Sequence, residues 1–470
     1  MHTTRFFSSL TRWSVYLLFF LTPTFFLPWT SNVLEVNKQM LLVLLTAVGL
    51  MAWLGSMVVQ KRLTFKAGWL NLPPALFLVS ALVSSIGSLA GYQTWVGQAS
   101  QEYTSFLTTA VLVFLFYVLM NVRDEVPVAR GAVMALFASA ATSGILGLLS
   151  LCGWFRLPFD FANVAGFNLV GTINGFAAFL CAVMFMGVAA WMVSDKKPGL
   201  LPDGAAGVAA RALIAANVVV ALLVMVAADV SSLWIVSALC VLVIAAFGFF
   251  RAASFPDPRR FALPLFVLLV SVLLFFFRTP LSLNAPVVVS PSYGASWDIA
   301  KGVLSEGWPR LIAGSGPGTY AFDYSLLRPN AVNATIFWNT HFDRAKSHVL
   351  TLLTTFGSAG ALLWLVSMLA VGAAGLARLL RQKDAAAWQT AFVLFSGWFA
   401  LFVTHLFSSS NVTLSFLLWG LSGLLAAECA RTVVETDFGR SPRLGLAASF
   451  AFVLVAVGVL ATLFVSGGRY

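Results

Sequence analysis

Long continuous apolar runs restrict what this 470-residue chain can fold into. Many of them are about 17 to 23 residues long, which is enough for an α-helix to cross a bilayer. Only 10% of the residues are charged, against roughly 25% in soluble domains, so the chain has too few charges to cover a globular surface. The runs are continuous rather than alternating, which disfavours a β-barrel. The sequence therefore predicts an all-α polytopic membrane protein.

The apolar runs predict about 12 to 13 transmembrane helices. They lie at residues 13–29, 38–59, 73–91, 105–121, 131–151, 171–193, 209–227, 231–249, 261–277, 348–370, 387–406, 412–428 and 445–466. The first run follows Arg5 and Arg12 and looks like a signal peptide, but no small-x-small cleavage pattern follows it. We therefore expect this run to be retained as the first helix.

Basic residues alternate between the two sides of these spans. With the N-terminus in the cytoplasm, 19 of the 28 Lys and Arg residues fall in cytoplasmic segments, which is the positive-inside pattern. Membrane topology then explains the net charge of +11. The expected surroundings are membrane lipids, and no nucleic-acid partner is expected.

The predicted spans divide the chain into three parts. Residues 1–277 form an N-terminal bundle of about nine helices, 278–347 form one long extracytoplasmic loop between late helices, and 348–470 contribute about four C-terminal helices. The loop holds six of the nine basic residues on the outer side. Because positive charge there opposes the insertion bias, a functional role is favoured over an ordinary solvated loop.

An apolar pattern inside the loop has helical spacing. Its members are Trp297, Ile299, Ala300, Val303 and Leu304. Such a stripe predicts a short amphipathic helix that lies at the membrane surface.

Three glycines follow in "GSGPGTYAFDY", at Gly314, Gly316 and Gly318. Glycine allows positive φ and close backbone approach. Two interpretations stay open: a tight turn that seats the preceding helix, or backbone amides of Gly316 and Gly318 that line a phosphate site.

Titratable residues gather where the chain re-enters the membrane, in "HFDRAKSH". Asp343 is a plausible N-cap for a helix that starts at Arg344. On that helix Arg344 and His348 would share a face, whereas Lys346 would point elsewhere. A positive helix end with these side chains suits an anion, and the alternative is basic residues snorkelling to the interface.

Three stretches together resemble the superfamily of O-antigen ligases, O-antigen polymerases and bacterial O-oligosaccharyltransferases. They are "VGTINGFAAFL" at 170–180, "GSGPGTYAFDY" at 314–324 and "DRAKSHVLTLLTTFGSAG" at 343–360. The long outer loop between late helices also fits that family. Two departures mark a divergent member: the family's usual histidine falls at Lys346, and the middle-helix Ser-Arg pair is replaced by "ADVSSLWIV".

The resemblance implies an enzyme that moves a glycan from a polyprenyl-pyrophosphate carrier to an acceptor hydroxyl, on the outer face of the bacterial cytoplasmic membrane. It implies no metal and no cofactor. The four cysteines are predicted to be small buried hydrophobes, since none forms a C-x-x-C pair; they are Cys152, Cys181, Cys240 and Cys429. Lipid, sugar and protein acceptors all stay open.

A metal-free transfer needs side chains that neutralise the departing pyrophosphate. Arginine suits this role because its planar fork binds phosphate bidentately. Arg344 is the first candidate, Arg328 the second and Arg156 the third, while Lys346 offers a point charge.

The acceptor hydroxyl needs a base. His348 is the candidate, since unperturbed imidazole titrates near pH ~6.5, and His341 is the fallback. For His405, a satisfied interfacial histidine is favoured over a residue that faces the same cavity. Asn174 and Thr172 are expected to cap the sixth helix rather than to touch sugar.

Two other classes of function compete with this interpretation. A lipid-linked glycan flippase or transporter is disfavoured, because the sequence shows no internal repeat and its charges cluster outside the spans. A non-catalytic membrane subunit of a cell-surface polysaccharide pathway is supported by the replacement of the family histidine with Lys346.

Overall fold

A computed structural model shows how the chain is folded. It describes residues 2–98, 100–122, 128–164, 166–193, 201, 204–255, 257–277, 279, 288–333, 335–430 and 432–437, with parts of 443–458. Within these residues, ten helices are long and apolar enough to cross a membrane. The predicted all-α polytopic membrane fold is confirmed.

Eighteen α-helices and two strands are found in the described residues, besides five short 3-10 helices. They are α1 (His2–Thr24), α2 (Glu35–Gln60), β1 (Arg62–Ala67), α3 (Leu72–Ile86), α4 (Gly91–Val96), α5 (Phe106–Asn121), α6 (Val128–Leu151), α7 (Ile173–Val193), α8 (Gly204–Ala228), α9 (Ser231–Phe250), α10 (Ala262–Phe276), α11 (Tyr293–Leu304), α12 (Trp308–Ala313), α13 (Tyr320–Leu327), α14 (Asn330–Asn333), α15 (His348–Thr355), α16 (Gly357–Arg381), α17 (Ala385–Phe407), α18 (Val412–Cys429) and β2 (Thr432–Asp437). The predicted span at 445–466 lies mostly outside the described residues.

The helices surround α7. In the most apolar stretch of α7, 94% of the residues are buried inside the protein, against 17% for the α10 span. A helix that is apolar on all sides and buried belongs to the core of a bundle, whereas α10 turns most of its surface towards lipid. The segment "GTING" therefore opens the central helix of the molecule.

Contacts between loops define two faces of the bundle. On the loop face, which carries residues 288–347, the Leu89 amide donates to the Ser315 carbonyl at 3.1 Å. On the opposite sheet face, β1 pairs antiparallel with β2, and Arg251 donates to the Leu380 carbonyl at 3.1 Å. Each contact joins two segments that the predicted spans place on the same side of the membrane. The two strands themselves were not predicted.

The predicted helix at 348–370 is split in two. Gly357, the first residue of α16, has φ +69°, and a Cβ there would lie 2.4 Å from the Ile312 carbonyl oxygen. The end of α12 thus packs directly against the backbone of Gly357, which only glycine permits. The helix is therefore interrupted between α15 and α16.

The predicted amphipathic helix exists as α11, but its stripe does not face a membrane surface. Ile299 is buried in a small apolar cluster with Tyr320, Tyr324 and Ala345, while Trp297 is 52% exposed. The apolar face of α11 is covered by α13 and by the segment before α15. The expected surface position is therefore wrong for most of this face.

Candidate functional site

A cleft of about 400 Å³, lined by both polar and apolar residues, opens on the loop face. Its walls come from the α1–α2 connection, the start of α2, the segment before α7 and three separate polar residues. Its polar lining includes Asn32, Glu35, Thr172, Arg344 and Asn411. A second cleft of about 400 Å³ lies on the sheet face beside Arg5 and contains none of the residues predicted for the site.

Arg344 is held at the cleft by four hydrogen bonds. Nε and Nη2 donate to the two carboxylate oxygens of Asp343 at 2.8 and 2.7 Å. Nη1 donates to the Ser410 carbonyl at 2.9 Å, and Nη2 donates to the Ser100 carbonyl at 3.0 Å. The guanidinium also lies over the Tyr103 ring, 5.2 Å from its centroid. Four of its five N–H groups are thus engaged within the protein.

The electrostatics of Arg344 follow from these contacts. Burial opposes the charged form, but the hydrogen bonds and the negative charge of Asp343 raise the pKa of Arg344 above its ordinary value. The side chain is 17% exposed, and that of Asp343 is 32% exposed. Arg344 is therefore a fixed cation whose open side faces the cleft.

The helix that was expected to carry Arg344 begins four residues later. Ser347, not Asp343, is the N-cap of α15, and its hydroxyl accepts from the Leu350 amide at 3.3 Å. Arg344 precedes the helix, so it does not share a helical face with His348. The predicted cap and the predicted pairing on one face are both wrong, because Asp343 binds the neighbouring guanidinium instead.

Lys346 points away from the cleft. Its Nζ donates to the Ser290 hydroxyl at 2.9 Å, and its amide donates to the Ser296 hydroxyl at 3.0 Å. These contacts tie the start of the loop segment to the residues before α15. The predicted difference in direction between Lys346 and Arg344 therefore agrees with the structure.

His348 is sealed within the protein. It is 5% exposed, and its ring lies between those of Tyr103, Trp364 and His405, with centroid distances of 6.0, 5.3 and 5.0 Å. Its Nδ1 is buried without a hydrogen-bond partner in the described part of the chain. The imidazole does not line the cleft, so its role as base stays a prediction that this geometry does not favour.

His405 has the satisfied environment that was expected. Its Nδ1 lies 2.7 Å from the Leu401 carbonyl oxygen, and its Nε2 lies 2.9 Å from the Ser410 hydroxyl. Ser410 also accepts from Arg344 through its carbonyl. His405 is therefore joined to Arg344 through Ser410, and His348 contacts the ring of His405.

The glycine-rich stretch serves packing in this structure. Residues 314–320 are all buried. The Gly316 amide donates to the Thr355 carbonyl at 2.9 Å, so it is not open to a phosphate. Gly318 has φ +70°, and a Cβ there would lie 2.8 Å from the Gln93 carbonyl oxygen. The tight-turn interpretation is favoured, and the phosphate-site interpretation of Gly316 is wrong for this conformation.

We expect Gly316→Ala to lower the free energy of unfolding by about 2–4 kcal/mol. At this position φ is +119°, and the new Cβ would lie 2.0 Å from the Ser88 hydroxyl oxygen. Denaturant unfolding in detergent micelles measures the change. The matched control is Gly91→Ala, whose Cβ would have no atom within 4 Å. Equal stability of the two variants would contradict the close packing of this stretch.

Three of the remaining predicted residues lie apart from the cleft, whereas Thr172 lines it. Arg328 donates to the Trp338 carbonyl at 2.7 Å within the loop segment, and Arg156 is exposed after α6. Asn174 lies in the first turn of α7 and does not line the cleft. Thr172 confirms the capping interpretation, since its hydroxyl accepts from the Gly175 amide at 3.2 Å.

Two charged residues at the start of α2 were missed as site residues. Lys38 is 0% exposed, and its Nζ donates to the carbonyls of Leu169 and Val170 and to the Thr413 hydroxyl, at 2.5, 3.2 and 3.1 Å. Glu35 lines the cleft. The sequence indicates them in "LEVNKQML", where two ionisable residues lie at the start of an apolar run.

Behind the cleft lies a carboxyl group without a partner. Glu102 is 1% exposed, and neither of its carboxylate oxygens has a hydrogen-bond partner in the described residues. Burial raises the pKa of Glu102 to about 7, against the opposing field of Arg344. Glu35 and Asp343 raise it further. Glu102 therefore keeps its proton to a higher pH than an exposed glutamate does.

Comparisons with known proteins do not add a family name. No protein-family model matches this chain, and no curated protein matches it. The family resemblance therefore rests on the quoted motifs alone. As for metal sites, no group of three or more His, Cys, Asp or Glu in the described residues could hold an ion.

Proposed function

We propose that this protein transfers a glycan from a polyprenyl-pyrophosphate carrier to an acceptor hydroxyl, as the family resemblance implies. The observation that carries the proposal is the cleft on the loop face, where Arg344 lies with Glu35 and Asn411 beside membrane-spanning helices. The loop face would then be the outer face of a bacterial cytoplasmic membrane, with the N-terminus in the cytoplasm, in keeping with the positive-inside pattern.

Arg344 would bind the donor by exchange. The Asp343 carboxylate now occupies its Nε–Nη2 fork, and a phosphate offers two oxygens in the same geometry. An arriving pyrophosphate would displace Asp343 and bind to the Arg344 guanidinium. The Ser410 and Ser100 carbonyls already hold this guanidinium in place. A preorganised donor of this kind stabilises charge that develops on the leaving group.

The test is glycan transfer by the purified protein in vesicles. A polyprenyl-pyrophosphate glycan is the donor, and lipid, sugar and peptide acceptors are offered in separate reactions, with empty vesicles as the control. Formation of a glycosylated acceptor is the expected result. Movement of donor across the bilayer without transfer would favour a flippase, and donor binding with neither outcome would favour a non-catalytic subunit.

We expect Asp343→Asn to tighten the binding of inorganic pyrophosphate about two- to fivefold. The variant removes a carboxylate that competes for Arg344, and a partly exposed ion pair of this kind is worth up to about 1 kcal/mol. Calorimetry in detergent measures the affinity. Asp298→Asn, on the exposed side of α11, is the matched control. Weaker binding by Asp343→Asn would mean that the carboxylate positions Arg344 rather than competing for it.

A further inference from the structure

Glu35 has the geometry of a group that exchanges protons with a ligand in the cleft. Its Oε2 accepts from the Val412 amide at 3.0 Å, which fixes the carboxylate at the start of α18. Its Oε1 has no hydrogen-bond partner in the described part of the chain. A Cβ at Gly171 would lie 3.5 Å from Oε1, so this glycine leaves the space beside the oxygen open.

Several charged groups lie close to the Glu35 carboxylate. Lys38, one turn further along α2, directs Nζ to two carbonyls and a hydroxyl. It therefore supplies positive charge without bonding the carboxylate. The other charged or titratable groups that interact with Glu35 are Arg344, Asp343, Glu102 and Tyr103. Cationic and acidic groups therefore both lie close to the Glu35 carboxylate.

His348, which the sequence predicts as the base, has no access to the cleft. His348 is enclosed by three aromatic or imidazole rings and does not line the cleft. Glu35 is the carboxylate that shares the cleft with Arg344 among its described lining residues. A base and a leaving-group ligand must act on the same substrate, so they need to lie on the same cavity.

We propose that Glu35, rather than His348, takes the proton of the acceptor hydroxyl. This inference rests on the proposed function. The acceptor O–H gives its proton to Glu35 while its oxygen attacks the anomeric carbon of the donor. The bond from that carbon to the pyrophosphate oxygen breaks, and its electron pair leaves with the lipid pyrophosphate, which Arg344 binds. Glu35 then releases the proton to water.

The experiment is the transfer reaction in vesicles with variants at position 35. Glu35→Gln is expected to lower kcat at least about 100-fold, within the range of a lost general base, while KM for the donor stays within about twofold. Glu35→Ala is expected to be equally slow and to recover rate with added formate, because a small carboxylate can replace the missing base. The matched control is Glu306→Gln, an exposed carboxylate of the same face.

Folding is checked separately, because Glu35→Gln leaves Lys38 without its counter-charge. Glu35→Asp keeps that charge and retracts the oxygen, and we expect a folded protein with kcat lowered about 10- to 100-fold. Full activity of Glu35→Asp and Glu35→Gln would overturn the proposal. Failure of formate to restore a folded Glu35→Ala variant would also overturn it. Absence of transfer by the wild type would instead overturn the proposed function itself.

Discussion

Arg344→Lys is expected to lower kcat/KM for glycan transfer by about 10²- to 10³-fold. Lysine keeps the charge but loses the planar fork that binds two oxygens at once. It also cannot reach the Asp343 carboxylate and the Ser410 and Ser100 carbonyls together, as the guanidinium does. The variant therefore removes both the bidentate contact and its preorganisation.

The measurement is the initial rate of transfer at several donor concentrations. Arg259→Lys is the matched control, because Arg259 is exposed at the opposite end of the bundle, just before α10. A thermal unfolding curve for each variant separates lost chemistry from lost folding. If Arg344→Lys kept the wild-type rate while Arg328→Lys lost it, the pyrophosphate would be bound by the loop segment and not by the cleft.

The membrane fold could be predicted because apolar length and basic asymmetry are local properties of a sequence. The break between α15 and α16 could not, since it depends on the approach of the Ile312 carbonyl to Gly357 from a distant part of the chain. The pairing of β1 with β2 is similar, because it joins loops separated by most of the sequence. Periodicity within one segment carries no information about either contact.

The sequence predicts only part of the site, because local signals are visible in it and distant contacts are not. Arg344 was found because the charge beside an apolar run is visible in the sequence, but its partners at Ser100 and Ser410 are far away along the chain. His348 was placed next to Arg344 by assuming one continuous helix, and the capping of α15 by Ser347 removes that assumption. Glu35 was overlooked because hydropathy alone set the start of the second span at Lys38.

Lys38→Met is expected to lower the free energy of unfolding by about 3–5 kcal/mol, the typical cost of removing one partner from a buried charge pair. Lys38 is 0% exposed, and its ammonium satisfies the carbonyls of Leu169 and Val170 at the entrance to α7. Methionine fills similar space but leaves those carbonyls without a donor and removes the positive charge near Glu35. Unfolding by a denaturing detergent titrated into micelles measures the change.

The control and a double variant show which part of that cost is electrostatic. Lys301→Met, at an exposed position of α11, should change stability by no more than about 0.5 kcal/mol. Glu35→Gln combined with Lys38→Met should be less destabilised than the sum of the single variants, by about 1–3 kcal/mol, because the buried charges are removed together. Strict additivity would mean that the carbonyls alone hold Lys38 in place. The two residues would then contribute independently to stability.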